Sequence, residues 1–264
     1  MTNLLLAYSA GFGLLLGSFL DCLLWRLKTE ETLLGRSFCP RCHKTIAWYD
    51  NIPVLSFLLL GRKCRHCRKP ISWQYPLIEI VLGLLFAGAA WRLAVAAGSP
   101  EGWLAAQWLT LLRDWVFAFA LVAVFISDMR WYLIFDEIVI PAGVVLFILN
   151  IALGASWPSL LLSATIGTGF FLLQYAVSRG RWIGGGDIRL GFLLGSALGW
   201  PLILPALMAA YAVGAPVGVI LIAAGKKEWG SRLPLGVFLC IGALVAALYG
   251  NNLIDWYLHL IHFS

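Results

Sequence analysis

The chain has 264 residues, 61% of them hydrophobic and 12% charged, with a formal net charge of +6. Soluble domains hold only about half apolar residues, so this composition excludes an ordinary soluble enzyme and points to a polytopic membrane protein. The positive balance reads as topology plus attraction to anionic lipid head groups; nothing resembles a nucleic-acid reader, and no nucleic-acid partner is expected.

A membrane span takes roughly 20 predominantly apolar residues. Such runs lie near 4–25, 76–98, 108–127, 134–153, 158–178, 187–200, 202–224 and 235–250. They predict an all-α membrane protein of about eight transmembrane helices, the sixth short and the last not much longer. A count of six or seven follows instead if Pro201 only kinks a helix joining two runs. The first run lacks the basic start and cleavage site of a secretory signal and is read as a retained helix. With the N-terminus outside, the cytoplasmic segments carry Arg26 to Lys69, Arg130, Arg179, Arg181, Arg189, Lys226, Lys227 and Arg232. The outside keeps Arg92 and Arg113, a strong positive-inside bias.

Between the first two runs lies the one long polar segment, 26–75. It contains Cys39-x-x-Cys42 and Cys64-x-x-Cys67, with 21 residues between the pairs. Two such turns bring four thiolates together without a large core, the usual construction of a tetrahedral zinc site. Disulfides and a redox pair are the alternatives, and a reducing cytoplasm disfavours the first. A segment of about 50 residues barely supports its own core, so a metal staple is expected. His43 and His66 adjoin the pairs and are read as solvent-facing, Cys22 and Cys240 as packing residues.

Acidic groups beside apolar spans are expensive and commonly functional. Asp128 closes the third run and Asp187 opens the sixth, which puts both at the cytoplasmic edge; Asp136 and Glu137 open the fourth. Two carboxyls sharing a site cannot both ionise cheaply, so such a pair holds one proton near neutral pH. Aspartyl proteolysis needs that state: one carboxylate takes a proton from water while the other polarises the scissile carbonyl. Gly184, Gly185 and Gly186 lack β-carbons and would let an extended backbone approach Asp187. The competing structural reading makes Asp187 a helix N-cap and pairs Asp128 with Arg130 or Arg189.

Taken together, "GSFLDCLLWRL", the two cysteine pairs flanking "WYDNIPVLSFLLL", "CRHCRKPISWQYPLIEI", Asp128, "IGGGDIRL" and "LPLGVFLCIG" resemble the bifunctional type IV prepilin peptidases. These are the leader peptidase/N-methyltransferases of the Gly-x-Gly-Asp membrane aspartyl protease class. The resemblance implies catalytic Asp128 and Asp187, zinc on Cys39, Cys42, Cys64 and Cys67, and supporting roles for Gly184, Gly186, Asp136 and Arg189. It implies removal of basic leaders from pilins or type II secretion pseudopilins at the cytoplasmic face of the bacterial inner membrane. Methylation of the new N-terminus with S-adenosylmethionine follows.

On that reading the chain divides into a first helix (1–25), a cytoplasmic zinc domain linked to methylation (26–75), a second helix with its outer loop (76–107), and a peptidase domain (108–264). Homo-oligomerisation is left open. The chain departs from the family pattern at Ile134-Phe135-Asp136, which lacks a proline, at Arg189 in place of lysine, at Asp21 for asparagine and at Lys28 for proline. Asp21 and Lys28 fall in the region linked with methylation, so a peptidase without methyltransferase activity is the nearest alternative. Glu30, Glu31, Asp50, Glu79, Asp136 and Glu137 are the acids available to leader cations. A proton-coupled transporter is the rival from another class, but it would favour acids near the bilayer midplane.

Overall fold

The computed structural model describes residues 1–32, 35–226, 228 and 233–262. Lys227 and Arg232, counted above among the cytoplasmic cations, lie outside the described residues. Among the described residues the fold is all-α, with two isolated β-bridges, Phe38 to Thr45 and Lys63 to Pro70. Its helices are α1 (Thr2–Thr29), α2 (Leu55–Leu59), α3 (Gln74–Ala97), α4 (Ala105–Trp131), α5 (Asp136–Ala152), α6 (Trp157–Ser178), α7 (Gly185–Leu198), α8 (Ile203–Ala223) and α9 (Leu235–His262).

Every apolar run became a helix, and among the described residues six are long and apolar enough to cross a membrane: α1, α3, α4, α6, α8 and α9. The chain is therefore an all-α, multi-pass membrane protein; six spans fall within the range read from sequence, and the count of eight is not confirmed. At 1.5 Å per residue, the 17 residues of α5 reach roughly 26 Å and the 14 of α7 roughly 21 Å, short of a hydrocarbon core of about 30 Å. Pro201 does not kink a continuous helix: α7 stops at Gly199, whose φ of 71° suits glycine, and α8 starts anew at Ile203. The last helix outruns its apolar stretch, because Asn251, Asn252 and Asp255 continue the turn beyond 250.

The chain forms two compact units, Met1–Val122 and Ala123–Ser264, with α4 running through the boundary. In the first, α1 and α3 approach at glycine. A Cβ on Gly13 would sit 2.6 Å from the Leu82 carbonyl oxygen, and one on Gly17 2.6 Å from Glu79 Cα. Small residues one turn apart allow such contact between membrane helices. The next turns of α1 carry Asp21 and Arg26, so this packing sets Asp21 opposite the start of α3, where the Gln74 side-chain amide donates to it at 2.9 Å. Buried Arg26 then ties down the start of the polar segment, donating to the carbonyls of Thr32 (3.3 Å), Gly35 (3.0 Å) and Arg36 (3.3 Å).

In the second unit α7 is the central element, with Leu190, Leu193 and Leu194 fully buried. Gly191 meets Gly167 of α6 backbone to backbone, Gly195 meets the Ser163 carbonyl, and Gly143 of α5 receives the Phe192 ring. The Asn150 side-chain amide donates to the carbonyls of Ser196 (2.9 Å) and Ala197 (3.1 Å), closing the far end of α7. Enclosure by its neighbours explains how so short a helix is held in place. It also fixes what α7 carries at its N-terminus, Asp187.

Candidate active site and metal centre

Asp128 and Asp187 both belong to the second unit and are buried, at 6% and 7% exposure. They come from α4 and α7, 59 residues apart in sequence, yet lie within electrostatic reach of one another. Asp128 sits in the last turns of α4. Its Oδ2 accepts the backbone N–H of Val237 at 3.2 Å, at the start of α9. A Cβ on Gly236 would fall 2.9 Å from that same oxygen, so only glycine leaves the carboxyl room. Arg130 lies over the Trp131 ring at 4.6 Å, and Arg189 pairs with Asp136 at 2.6 Å. The recorded partner of Asp128 is thus the backbone of α9.

Asp187 occupies the third position of α7, where its Oδ2 accepts the Gly184 N–H at 2.9 Å. Gly184 is therefore the N-cap, and Asp187 does not cap the helix as considered from sequence but bonds back to the N-cap N–H from the third helical position. That bond engages Oδ2, and the α7 N-terminus adds a favourable field for a carboxylate. The glycines divide their work. A Cβ on Gly186 would meet Ile134 Cβ at 2.8 Å, so its bareness serves packing, while Gly185 faces open space. Asp136 and Arg189, about half exposed, form an ion pair that ties the first turn of α5 to the second turn of α7.

Sequence reasoning gave no role to four residues near the two carboxyls. Gly236 and Val237 shape and bond Asp128, and the only available signal was the "LPLGVFLCIG" stretch itself. Tyr211 of α8 also lies within electrostatic reach of Asp187, and its hydroxyl donates to Gln174 Oε1 at 3.1 Å. Cys240, read as packing, is indeed buried but lies near Asp128.

The metal-ligand candidates converge as well. The ligand atoms of Cys39, Cys42, Cys64 and Cys67 all lie within 4.8 Å of one another, with Cys39 Sγ and Cys67 Sγ 4.0 Å apart. Zinc–sulfur bonds of about 2.3 Å define a tetrahedron with edges of about 3.8 Å, so the four thiols fit such an ion with little adjustment. All are free thiols. The two turns share one construction. Cys39 N–H donates to Lys44 O and Cys64 N–H to Lys69 O, at 3.0 and 2.9 Å, while Ile46 and Ile71 close each turn onto Ser37 and Arg62. The residue after each second cysteine, His43 or Arg68, takes a positive φ (54° and 58°).

The N–H groups of Cys67 and His66 hold the Cys64 thiol down at about 7. At Cys42 the Lys44 N–H acts downward but is outweighed by desolvation and the neighbouring thiols, which push it up to about 11. Cys64 is thus the first thiolate available to a metal ion. His43 and His66 are exposed. Asp50 takes a bidentate bond from Arg65 (2.7 and 2.6 Å), which holds its carboxyl below the usual range and links the short helical turn Trp48–Asn51 to the second cysteine pair. Glu30, Glu31 and Glu137 are exposed.

Comparison with known proteins covers most of the chain. Residues 12–93 match the family model described as the bacterial peptidase A24 N-terminal domain, and residues 115–219 that of the type IV leader peptidase family. A relative from Bacillus subtilis is 31% identical over 255 residues, covering 94% of this chain and 95% of its own length. One from Pseudomonas aeruginosa is 30% identical over 281 residues, covering 96% and 93%; one from Aeromonas hydrophila is 32% identical over 231, covering 86% and 76%. Each bears the name prepilin leader peptidase/N-methyltransferase. No solved structure matches the chain.

Proposed function

The chain belongs to the prepilin leader peptidase/N-methyltransferase family and is an enzyme of that kind, and we propose that Asp128 and Asp187 form its peptidase dyad. The observation that carries this reading is that two buried carboxyls, from α4 and α7, lie within electrostatic reach of one another. In water-poor surroundings the pair shares one proton. The ionised member takes a proton from the attacking water, the protonated one donates to the scissile carbonyl oxygen, and collapse returns a proton to the leaving amine. Val237 N–H and Gly184 N–H each hold one carboxyl oxygen in place, so the reacting edges are set before substrate arrives.

The substrate class is a prepilin or pseudopilin, a short basic leader followed by an apolar helix. Its apolar part sits among the membrane helices, with the scissile bond at the cytoplasmic face of the inner membrane. The strand to be cut passes beside Gly185, which has open space where a side chain would stand. Exposed Glu30, Glu31 and Glu137 are the acids to meet leader cations. Zinc bound by the four cysteines would cross-link the two turns of the polar segment and supply stability. S-adenosylmethionine would supply an activated methyl group for the new N-terminal amine.

The test is incubation of the purified protein with a prepilin, comparing wild type with Asp128→Asn and Asp187→Asn. Either change abolishes leader removal while the protein still inserts in membranes. Normal cleavage by either variant removes that aspartate from the dyad.

A further inference from the structure

The first unit contains a cavity of about 350 Å³ that peptide cleavage does not use. Its size falls within the range of small-molecule sites, roughly 300–1,000 Å³. The inner end of α1 and the first turns of α3 form its floor, and the cysteine-rich segment forms its roof. Two carboxyls stand in the wall, Asp21 at 5% and Glu79 at 7% exposure. Glu79 Oε2 accepts the Val54 N–H at 2.7 Å and is also bonded by the Ser18 side chain, both neutral donors. Asp21 Oδ1 accepts from the Gln74 side-chain amide at 2.9 Å. A buried carboxylate held by neutral donors gains most from a cation brought to it.

Two further features suit a built site. Val54 is β-branched yet held at φ 61°, a costly backbone conformation secured by its bond to Glu79. Trp25, Phe38 and Tyr75 line the walls, while Arg41 and Lys44 bring positive charge. The cavity therefore offers an acid for a cation, aromatic faces for a planar group, and basic side chains for an anion. A sulfonium nucleoside with an amino-acid tail has all three groups. Resting on the methyltransferase reading above, we propose that this cavity is the methyl-donor site, with Glu79 against the sulfonium, the aromatic side chains against the purine, and Arg41 and Lys44 toward the carboxylate. During transfer the amine lone pair forms the N–C bond as the C–S bond breaks toward sulfur. The surplus ammonium proton then passes to water. Glu79 offsets the positive charge throughout.

Equilibrium binding of tritiated S-adenosylmethionine to the full chain in nanodiscs tests this, with leader cleavage and N-terminal methylation of a prepilin followed in parallel. Glu79→Gln keeps an oxygen for the Val54 N–H and removes the charge. It is expected to weaken donor binding at least ten-fold with helix content unchanged. Cys22→Phe, which fills the cavity from α1, is expected to do the same and carries the test should the first variant fail to insert. A wild type that binds and methylates, with donor affinity unmoved in both variants, overturns the site and leaves the methyltransferase reading standing. Glu79→Gln that weakens only binding of the processed peptide overturns it too. A wild type that cleaves but neither binds the donor nor methylates removes the methyltransferase reading, and the site with it.

Discussion

The backbone N–H of Val237 meets Asp128 Oδ2 at 3.2 Å, and the preceding residue, Gly236, leaves that oxygen its space. A methyl group at 236 would stand 2.9 Å from it, against a carboxyl enclosed by α4 and α9. Gly236→Ala should therefore displace Asp128 without unfolding the unit. A misplacement of about 1 Å costs on the order of a hundred-fold in rate. Steady-state kinetics on a prepilin should show kcat falling roughly ten- to hundred-fold with KM little changed. Wild-type kcat would mean that Asp128 does not depend on the start of α9.

The glycine contacts between α6 and α7 make a separate, structural prediction. Gly191 and Gly167 touch backbone to backbone, so a side chain on either must push α7 away. Overpacking of this kind costs about 1–3 kcal/mol. Gly191→Leu should lower the thermal midpoint in detergent and lose cleavage with it, because α7 carries Asp187. Gly185→Ala, in open space, should leave the midpoint where it was.

Asp136 and Arg189 pair at 2.6 Å but remain 41% and 46% exposed. Such surface pairs contribute roughly 0.2–1 kcal/mol. Asp136→Asn is expected to shift the thermal midpoint only slightly and to keep cleavage within a few-fold of wild type. Loss comparable to that of the Asp128 or Asp187 variants would place Asp136 among the reacting groups instead.

The four thiols fit a tetrahedral ion, so the purified protein should hold about one zinc per chain by elemental analysis. Cys39→Ser or Cys64→Ser should lower that content. Chelation should expose the segment between α1 and α3 to protease while α6, α7 and α9 stay protected. A full zinc complement in either variant would contradict the site.

Much of this arrangement was legible in the chain. Runs of apolar residues gave each long helix, because backbone polar groups in a membrane must be satisfied within the helix. The cysteine spacing pointed to the thiol cluster for an equally local reason. What stayed hidden depends on contacts between distant residues. Val237 lies 109 positions from Asp128, and backbone N–H groups leave no signature in side-chain chemistry. Gly186 looked like room for substrate, yet Ile134 occupies its open side. Glu79 was counted among the acids available to leader cations, whereas it is buried and accepts from Val54 and Ser18. The run read for α5 overran its helix and that for α7 had the right length set slightly late, because hydropathy measures greasiness and helix ends are set by turns such as those around Gly154 and Gly199.

The most direct measurement is single-turnover leader cleavage by Asp128→Asn, Asp187→Asn and the double variant under identical conditions. Residues that act as one unit are strongly non-additive, so each single change should reduce the rate about as far as both together. Losses that multiply in the double variant, or a single variant retaining most of the wild-type rate, would show that the two carboxyls do not share the proton on which hydrolysis depends.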